Sequence, residues 1–291
     1  MTKIICIGEC MVELRRRADG AFEQSFAGDA YNVAAYLKRS APEIDVCFLT
    51  ATGSDLLSLA MRAAWRAEGV SDALAYETPN AHPGLYMIHL DARGERTFTY
   101  WRSASAARQW FMQLQAHGDA LQSDWIYFSG ISLAILPEHQ RGAAVALISE
   151  ARQHGAKVVF DPNYRPALWR SPEEARRWTE AALQIADIAR PSQDDLDALK
   201  LDLPATAEIV TTRGSKGCVI TTPTQQIELP APTPVHVIDT SGAGDAFTGA
   251  YLAARARGAL PQAAAEAALA VASRVVTAPG ALVPSSISHP C

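Results

Sequence analysis

The residues with the most chemical content lie in one run, Asp239-Thr240-Ser241-Gly242-Ala243-Gly244-Asp245-Ala246-Phe247. Two glycines within three residues, directly before an alanine-rich stretch of helical character, leave backbone N–H groups free to point at an anion. A helix N-terminus adds partial positive charge, so the segment is physically a phosphate cradle. No Gly-Lys-Ser/Thr follows, which excludes a Walker loop, and Phe247 stands where a dinucleotide fingerprint needs its third glycine. A tight turn whose Asp245 caps or neutralises a helix end also fits these residue types. In either case the helix N-terminus is expected to lower the Asp245 pKa and make it a weak base. Phosphoryl transfer through a loose transition state tolerates such a base when proton transfer comes late.

The elements that would position this run follow from periodicity. Short apolar runs alternate with longer helical segments, which predicts an α/β fold with parallel strands joined by crossover helices. Strands are expected at Ile4 to Gly8, Val46 to Thr50, Trp125 to Ser129, Lys157 to Asp161, Ile185 to Arg190 and Glu208 to Thr212. Small or polar residues follow them at Gly8-Glu9, Thr52-Gly53, Ser129-Gly130, Asp161-Pro162-Asn163 and Arg213-Gly214, the edge at which open parallel sheets bind ligands. A helix over Leu56 to Glu68 would bury Leu56, Leu59, Ala60, Ala63 and Ala67 and stop at Gly69. Helices over Pro137 to Gln153 and Pro172 to Leu183 would carry proline in the first turn. Ala246 to Val276 reads as two packed helices. Met11 to Ala27 and Tyr76 to Arg102 break this rhythm with β-forming residues, and Asp91-Ala92-Arg93-Gly94 marks a hairpin turn in the second. Together they predict a small second sheet, either a lid over a site or an edge used for oligomer contacts.

Composition removes several classes. The 291 residues are 48% hydrophobic, with 26 Lys and Arg against 31 Asp and Glu for a net charge of -5. That excludes a disordered, collagenous or disulfide-framework chain and makes a general nucleic-acid binder a poor fit. Cysteines at 6, 10, 47, 218 and 291 have no Cys-x-x-Cys spacing and read as reduced thiols of a cytoplasmic protein. No apolar run suits a signal peptide or a membrane span.

The run from Asp239 to Phe247 resembles the C-terminal signature of the ribokinase-like (PfkB) carbohydrate kinases, Asp-Thr-x-Gly-Ala-Gly-Asp-x-Phe, at all seven specified positions. The resemblance implies a three-layer α/β/α core with a mainly parallel sheet and a small β-sheet lid. Residues 1–291 would form one domain, with the core at 1–10, 28–75 and 103–291 and the lid at 11–27 and 76–102. It further implies that Asp245 accepts the proton of the attacking sugar hydroxyl, while the amides of Gly242, Ala243 and Gly244 form the anion hole. Ala27-Gly28-Asp29-Ala30-Tyr31-Asn32-Val33-Ala34 resembles the family's sugar-binding segment, with Ala27 in place of its first glycine. Gly28, Asp29 and Asn32 would then bind substrate; alternatively Asp29 caps a helix with Asn32 in its first turn. Thr212-Arg213-Gly214-Ser215-Lys216-Gly217 resembles the nucleotide loop, so Thr212, Gly214, Lys216 and Gly217, together with Gly242 and Gly244, would contact ATP.

Pro83-Gly84-Leu85-Tyr86, Gly94-Glu95-Arg96-Thr97-Phe98-Thr99-Tyr100-Trp101-Arg102 and Phe160-Asp161-Pro162-Asn163-Tyr164-Arg165 resemble the 2-keto-3-deoxygluconate kinases within that family. By this resemblance Tyr86, Tyr100 and Arg102 hold the substrate from the lid. Arg165 reaches its carboxylate or the transferred phosphate, and Asn163 and Arg165 line ATP. An arginine fork is the group suited to a carboxylate that a neutral hexose lacks. Trp101 points to the opposite face of its strand from its neighbours and would pack, at a subunit contact. The implied reaction is phosphorylation of 2-dehydro-3-deoxy-D-gluconate at its terminal hydroxyl. The alternatives are a kinase for a neutral sugar such as fructose or tagatose, or a non-catalytic sugar or nucleotide sensor. The resemblance implies ATP and Mg2+ as cofactors, with a monovalent cation near the Asp239 loop and Ala278-Pro279-Gly280 as a further option, and a homo-oligomer joined through the lid. Ser192-Gln193-Asp194-Asp195 replaces the family's Asn-x-x-Glu, so Asp195 would meet the metal through water or serve only as a helix N-terminal charge. The seven residues from Leu201 to Ala207 are too few for the helix the family places there, so either the connection is short or a segment is missing from the sequence.

Overall fold

A computed structural model describes every residue except 18, 91–95, 117–120, 206, 234–235 and 289–291. In chain order the strands are β1 Lys3–Ile7, β2 Met11–Arg16, β3 Phe22–Ala27, β4 Asp45–Thr52, β5 Ala75–Glu77, β6 Gly84–Leu90, β7 Arg96–Trp101, β8 Trp125–Ser129, β9 Lys157–Asp161, β10 Ile188–Ala189, β11 Glu208–Thr212, β12 Cys218–Thr221 and β13 Gln226–Leu229. The helices are α1 Asp29–Ser40, α2 Leu56–Ala67, α3 Trp110–Gln115, α4 Gly130–Ala134, α5 Glu138–Gln153, α6 Pro172–Leu183, α7 Gln193–Leu199, α8 Ala243–Ala256, α9 Pro261–Val275 and α10 Ser285–Ser288.

The large sheet runs β13-β12-β11-β10-β9-β8-β1-β4-β5, parallel except for the antiparallel pairs of β11 with β12 and β12 with β13. Alternation along β1 explains the layers. Ile4 and Cys6 pack into one hydrophobic cluster with α1, α8 and α9, and Ile5 and Ile7 pack into another with α4, α5 and α6. From β1 the chain first builds outward to β4 and β5, then returns to β8 on the other side of β1. The strand order therefore reverses between β1 and β8, and a crevice opens at their carboxyl ends. Gly249 lets α8 press on α1, since a Cβ there would lie 2.7 Å from Leu37 N and Val33 O.

The four remaining strands form a separate sheet in the order β3-β2-β6-β7. It consists of two antiparallel pairs joined by the parallel pairing of β2 with β6. Tyr76 does not open this sheet: with Ala75 and Glu77 it pairs with β4 in the large one, so the second segment of the small sheet begins at Gly84. The expected turn Asp91-Ala92-Arg93-Gly94 lies outside the described residues.

Three expectations about the scaffold need correction. In α2, Leu56 and Leu59 are 84% and 50% exposed, and the buried face is Ser58, Met61 and Trp65. Trp65 packs against Phe48 and Tyr31 at ring separations of 5.0 and 5.9 Å, and burying one indole outweighs burying a stripe of alanines. Helix α5 begins at Glu138, with Pro137 at its N-cap rather than in its first turn. Strand β10 is only two residues long, Ile188–Ala189, with the Asp187 carboxylate taking the Val158 amide at 2.8 Å just before it and Pro191, which has no amide hydrogen, close behind it. Lys200 ends α7 in the left-handed conformation, and among the described residues no helix occupies the stretch before β11. Among the described residues four cysteines, 6, 10, 47 and 218, are free and buried, and no helix is long and apolar enough to cross a membrane.

Candidate active site

The crevice between β1 and β8 collects the first group of residues. Gly28 ends β3 and forms the N-cap of α1, where a Cβ would lie 2.2 Å from Glu9 O, so no side chain fits between this helix start and the exit of β1. Asp29 is the first helical residue. Its Oδ2 accepts from Ser129 Oγ at 2.5 Å and from Asn163 Nδ2 at 3.0 Å, which ties α1 to the ends of β8 and β9. Asn32 is buried, its Oδ1 accepting from Gly28 N at 3.4 Å and its Nδ2 donating to Asp245 Oδ2 at 2.8 Å. The sequence reading gave Asn32 to substrate hydroxyls; in the structure one of its amide hydrogens goes to Asp245 and orients it.

Asp245 stands in the first turn of α8 behind the N-cap Gly242, whose φ of 69° and close approach to Ala281 O, 2.1 Å from a built Cβ, require glycine. The first-turn amides have no partner within the helix. The Ala243 amide turns back to Thr240 O at 3.3 Å, so the freest donors are those that follow it. The expected low pKa of Asp245 is overturned. Burial pushes its carboxyl up to about 6 and the nearby Asp29 charge adds to the rise, while the Asn32 hydrogen bond, Arg190 and Arg165 pull against it. Removing the carboxylate from water outweighs the helix N-terminus. The result is a base poised just below neutrality.

Asp239 binds the loop before α8 in place, its Oδ1 accepting from Ser241 N at 2.6 Å and its Oδ2 from Gly280 N at 2.8 Å. The Asp239 loop and the Ala278-Pro279-Gly280 segment are thus in direct contact.

A second group sits where β9, β10 and β11 end. Asp161 pairs with Arg190, both buried, and Arg190 Nη1 donates to Thr212 Oγ1 at 3.3 Å. Asn163 adopts a left-handed φ of 35°, its amide donating to Asp161 Oδ1 at 3.1 Å and its side chain directed to Asp29. Arg165 is exposed, its Nη1 donating to Tyr164 O at 3.0 Å. In the 213–217 loop, Gly214 and Gly217 have positive φ, and a Cβ on Gly217 would strike Leu229 O at 2.0 Å; Lys216 is exposed. Asp195 holds the start of α7 and the loop after β9. Its Oδ1 accepts from Tyr164 N at 2.8 Å and its Oδ2 from Ser192 N at 2.9 Å and Ser192 Oγ at 2.6 Å, the arrangement of a capping box.

The small sheet supplies the third group. Arg102 was expected to be free for a carboxylate, but its Nη2 already pairs with the buried Glu9, just past the end of β1. Among the described residues, Glu9 Oε1 and Arg102 Nε have no hydrogen-bond partner. Tyr86 is buried and donates to Glu13 Oε2, and Glu13 Oε1 accepts from Ser25 at 2.9 Å. Tyr100 is half exposed, stacked on Phe98 with ring centroids 6.1 Å apart. Met11, Ala27, Tyr86 and Ile88 form a cluster against Ala281, the residue that contacts Gly242, so the sheet's inner face meets the α8 turn. Sequence reasoning missed Glu9, Glu13, Ser129, Asp161 and Arg190 as members of the site. Gly8-Glu9, Ser129, Asp161 and Arg190 all stood at the ends of expected strands, which was the available signal; Glu13 carried none.

Known proteins resemble this chain over nearly its whole length. Residues 1–287 match the model of the pfkB family carbohydrate kinases. A 2-dehydro-3-deoxygluconokinase of Dickeya dadantii is 40% identical over 300 residues, covering 97% of this chain and 96% of that protein. Its counterpart in Escherichia coli is 37% identical over 301 residues, covering 97% of each. The crystal structure of a fructokinase from Vibrio cholerae, with fructose, ADP and calcium ion bound, superposes with a TM-score of 0.82 at 25% identity, covering 98% of this chain and 96% of that one.

Proposed function

This chain belongs to the pfkB family of carbohydrate kinases, and from that premise we propose that it phosphorylates 2-dehydro-3-deoxy-D-gluconate with ATP, giving 2-dehydro-3-deoxy-6-phospho-D-gluconate. The substrate follows from the relatives of that name, which align over nearly the full chain. The observation that carries the mechanism is the Asp245 carboxylate, oriented by Asn32 at the start of α8 and held at about pKa 6 beside the first-turn amides of that helix. The terminal hydroxyl of the sugar acid attacks the γ-phosphorus, its proton passes to Asp245, and the bond to the ADP oxygen breaks. Charge on the transferred phosphoryl oxygens is met by the turn from Gly242 to Gly244. Thr212, Gly214, Lys216 and Gly217 line the nucleotide, and Gly28 and Asp29 face the sugar.

Arg165 is the arginine best placed to meet a carboxylate, since it is exposed and its guanidinium is held by a neighbouring carbonyl rather than by an acidic side chain among the described residues. Arg102 approaches from the small sheet, which acts as the lid with Tyr86 and Tyr100, but its charge is shared with Glu9. The described residues contain no cluster of three or more acidic, histidine or cysteine side chains that would hold a metal. Mg2+ enters as part of the nucleotide complex, held largely by phosphates and water, as that ion keeps several waters when it binds with a nucleotide. A monovalent cation, if one is used, belongs near the contact of Asp239 with Gly280. The four buried free thiols suit a reducing cytoplasm.

An ADP-release assay over sugar acids and neutral sugars tests the substrate. Turnover of the keto-deoxy acid well above that of fructose is expected; good turnover of fructose with none of the acid would sink the assignment. Phe22 and Trp101, 51% and 55% exposed on the small sheet, are the surface on which we place a homo-oligomer contact. Sedimentation should show a dimer or larger species at micromolar concentration, and a monomer there rejects the contact.

A further inference from the structure

Arg190 has no role in the reaction as set out above, yet it occupies the floor beneath the α8 turn. It follows the two-residue strand β10, with its backbone amide held by Phe160 O at 2.9 Å. The neighbouring strands on either side end at Asp161 and Thr212, and the guanidinium binds both. A Cβ built on Gly244 would lie 3.5 Å from Arg190 Nη1 and 3.9 Å from Nη2, and among the described residues it would meet no other atom within 4 Å. The side chain is 7% exposed, and its Nε has no hydrogen-bond partner among the described residues. A buried ion pair of this kind costs desolvation and is weak evidence for stability. Its position points instead to electrostatic preorganisation, in which fixed charge faces the place where phosphoryl charge develops.

The other groups facing Asp245 are few. Asp29 and Asn32 come from α1, Arg165 from the loop after β9, and the phenols of Tyr36 and Tyr127 from α1 and β8. Arg190 and Arg165 are the cations of this set, and of the two only Arg190 is locked in place by a buried carboxylate.

We propose that Arg190 is a positioning residue for phosphoryl transfer: held by Asp161 and Thr212, its guanidinium fixes the Gly244 turn against the nucleotide loop and supplies the positive charge that faces the transferred phosphate and Asp245 from below. The part concerning Asp245 rests on the reading of that residue as the base. The part concerning the nucleotide does not.

The test compares Arg190→Met, Arg190→Lys and Asp161→Asn with the parent enzyme. Each is followed by the pH profile of kcat/KM for the sugar acid, KM for ATP, and a thermal melt. Arg190→Met should move the acid limb of the profile up by about half a pH unit or more and raise KM for ATP about threefold or more. Arg190→Lys should restore the position of the limb. Asp161→Asn strips the counter-charge, so it should move the limb the other way and lower KM for ATP. A purely structural role lowers the melting temperature and kcat without opposite displacements. Folded variants whose limbs stay put, or move in the same direction, overturn the proposal. Where Arg190→Met does not fold, the Asp161→Asn displacement decides alone: downward supports the proposal, and absent or upward refutes it. A parent enzyme with no acid limb strikes the reading of Asp245 instead, and KM for ATP then decides, an unchanged value in Arg190→Met or in Asp161→Asn refuting the role of Arg190.

Discussion

Two buried arginine–carboxylate pairs flank the crevice, and they differ in what surrounds them. Arg190 and Asp161 lie inside the large sheet, cross-braced by Thr212 and by the Asn163 amide, so the cation has little freedom. Arg102 and Glu9 join the small sheet to the end of β1, and beyond that root the sheet presents half-exposed rings at Phe98, Tyr100 and Trp101. The core side of the site is preorganised by many short connections. The small-sheet side hangs on few, and its aromatic face is finished only by whatever comes to lie on it. Rigid charge suits the transferring phosphate, whose geometry is the same for every sugar, and a lightly held face suits the variable part of the substrate.

The largest effect expected on the core side is that of Asp245→Asn, which should lower kcat by about 10²-fold or more while KM for ATP stays nearly constant in steady-state kinetics. Near-normal kcat would remove Asp245 from the base role. In the parent enzyme the same group sets the pH response. A carboxyl raised to about 6 is protonated and inactive as a base below that value, so kcat/KM should fall as pH drops through about 6 and stand about tenfold below its plateau at pH ~5. The sign for stability is the reverse. The folded state holds this proton more tightly than the unfolded chain, so the stabilising contribution is full below the ordinary aspartate pKa and is lost as pH rises through about 6.

A pair of glycine substitutions sharpens the contrast between rigid and yielding surroundings. At Gly242 an added Cβ meets backbone, Ala281 O at 2.1 Å, in a left-handed conformation. At Gly84 it meets side chains and no backbone, Glu9 Oε1 at 2.8 Å, Met11 Cγ at 2.9 Å and Arg102 Cβ at 3.2 Å. Gly242→Ala should therefore cost about tenfold or more in kcat, whereas Gly84→Ala should act on KM for the sugar acid and spare kcat. Equal kcat losses in both would erase the distinction.

The last contrast is read in stability rather than in rate. Arg102→Met leaves Glu9 buried without a counter-charge and should cost about 3–5 kcal/mol in denaturant unfolding. Arg165→Met alters an exposed side chain and should stay within about 0.5 kcal/mol. A near-zero change at Arg102 would show that Glu9 gains protonation or solvent when unpaired.

Much of this architecture is legible before any coordinates. Strands β8, β9 and β11 fall on the predicted residues, because apolar runs buried on both faces and bounded by polar strand ends admit few other readings. The turn from Gly242 to Gly244 at the start of α8 is equally plain, since its glycines lie together in the chain. What escaped notice depends on distant partners. Asn32 and Asp245 are 213 residues apart and Glu9 and Arg102 are 93 apart, and no local pattern announces such pairs. The pKa of Asp245 was misjudged for the same reason: the helix start is local, but the Asp29 charge and the burial come from the fold. The orientation of α2 failed differently, because its sequence offers two apolar stripes and only the ring packing of Trp65 with Phe48 selects between them.

The parallel pairing of β2 with β6 has a consequence for how the molecule is made. Met11 aligns with Gly84, so the centre of the small sheet joins segments separated by α1, β4, α2 and β5. During synthesis the hairpin of β2 and β3 leaves the ribosome first, and a lone two-stranded ribbon is marginal in water. Its β2 edge stays unpaired until β6 and β7 have been translated, with an open ladder of backbone groups in the meantime. The small sheet thus closes late relative to its first residues, and the nascent chain carries an unfinished edge past the first two helices of the core.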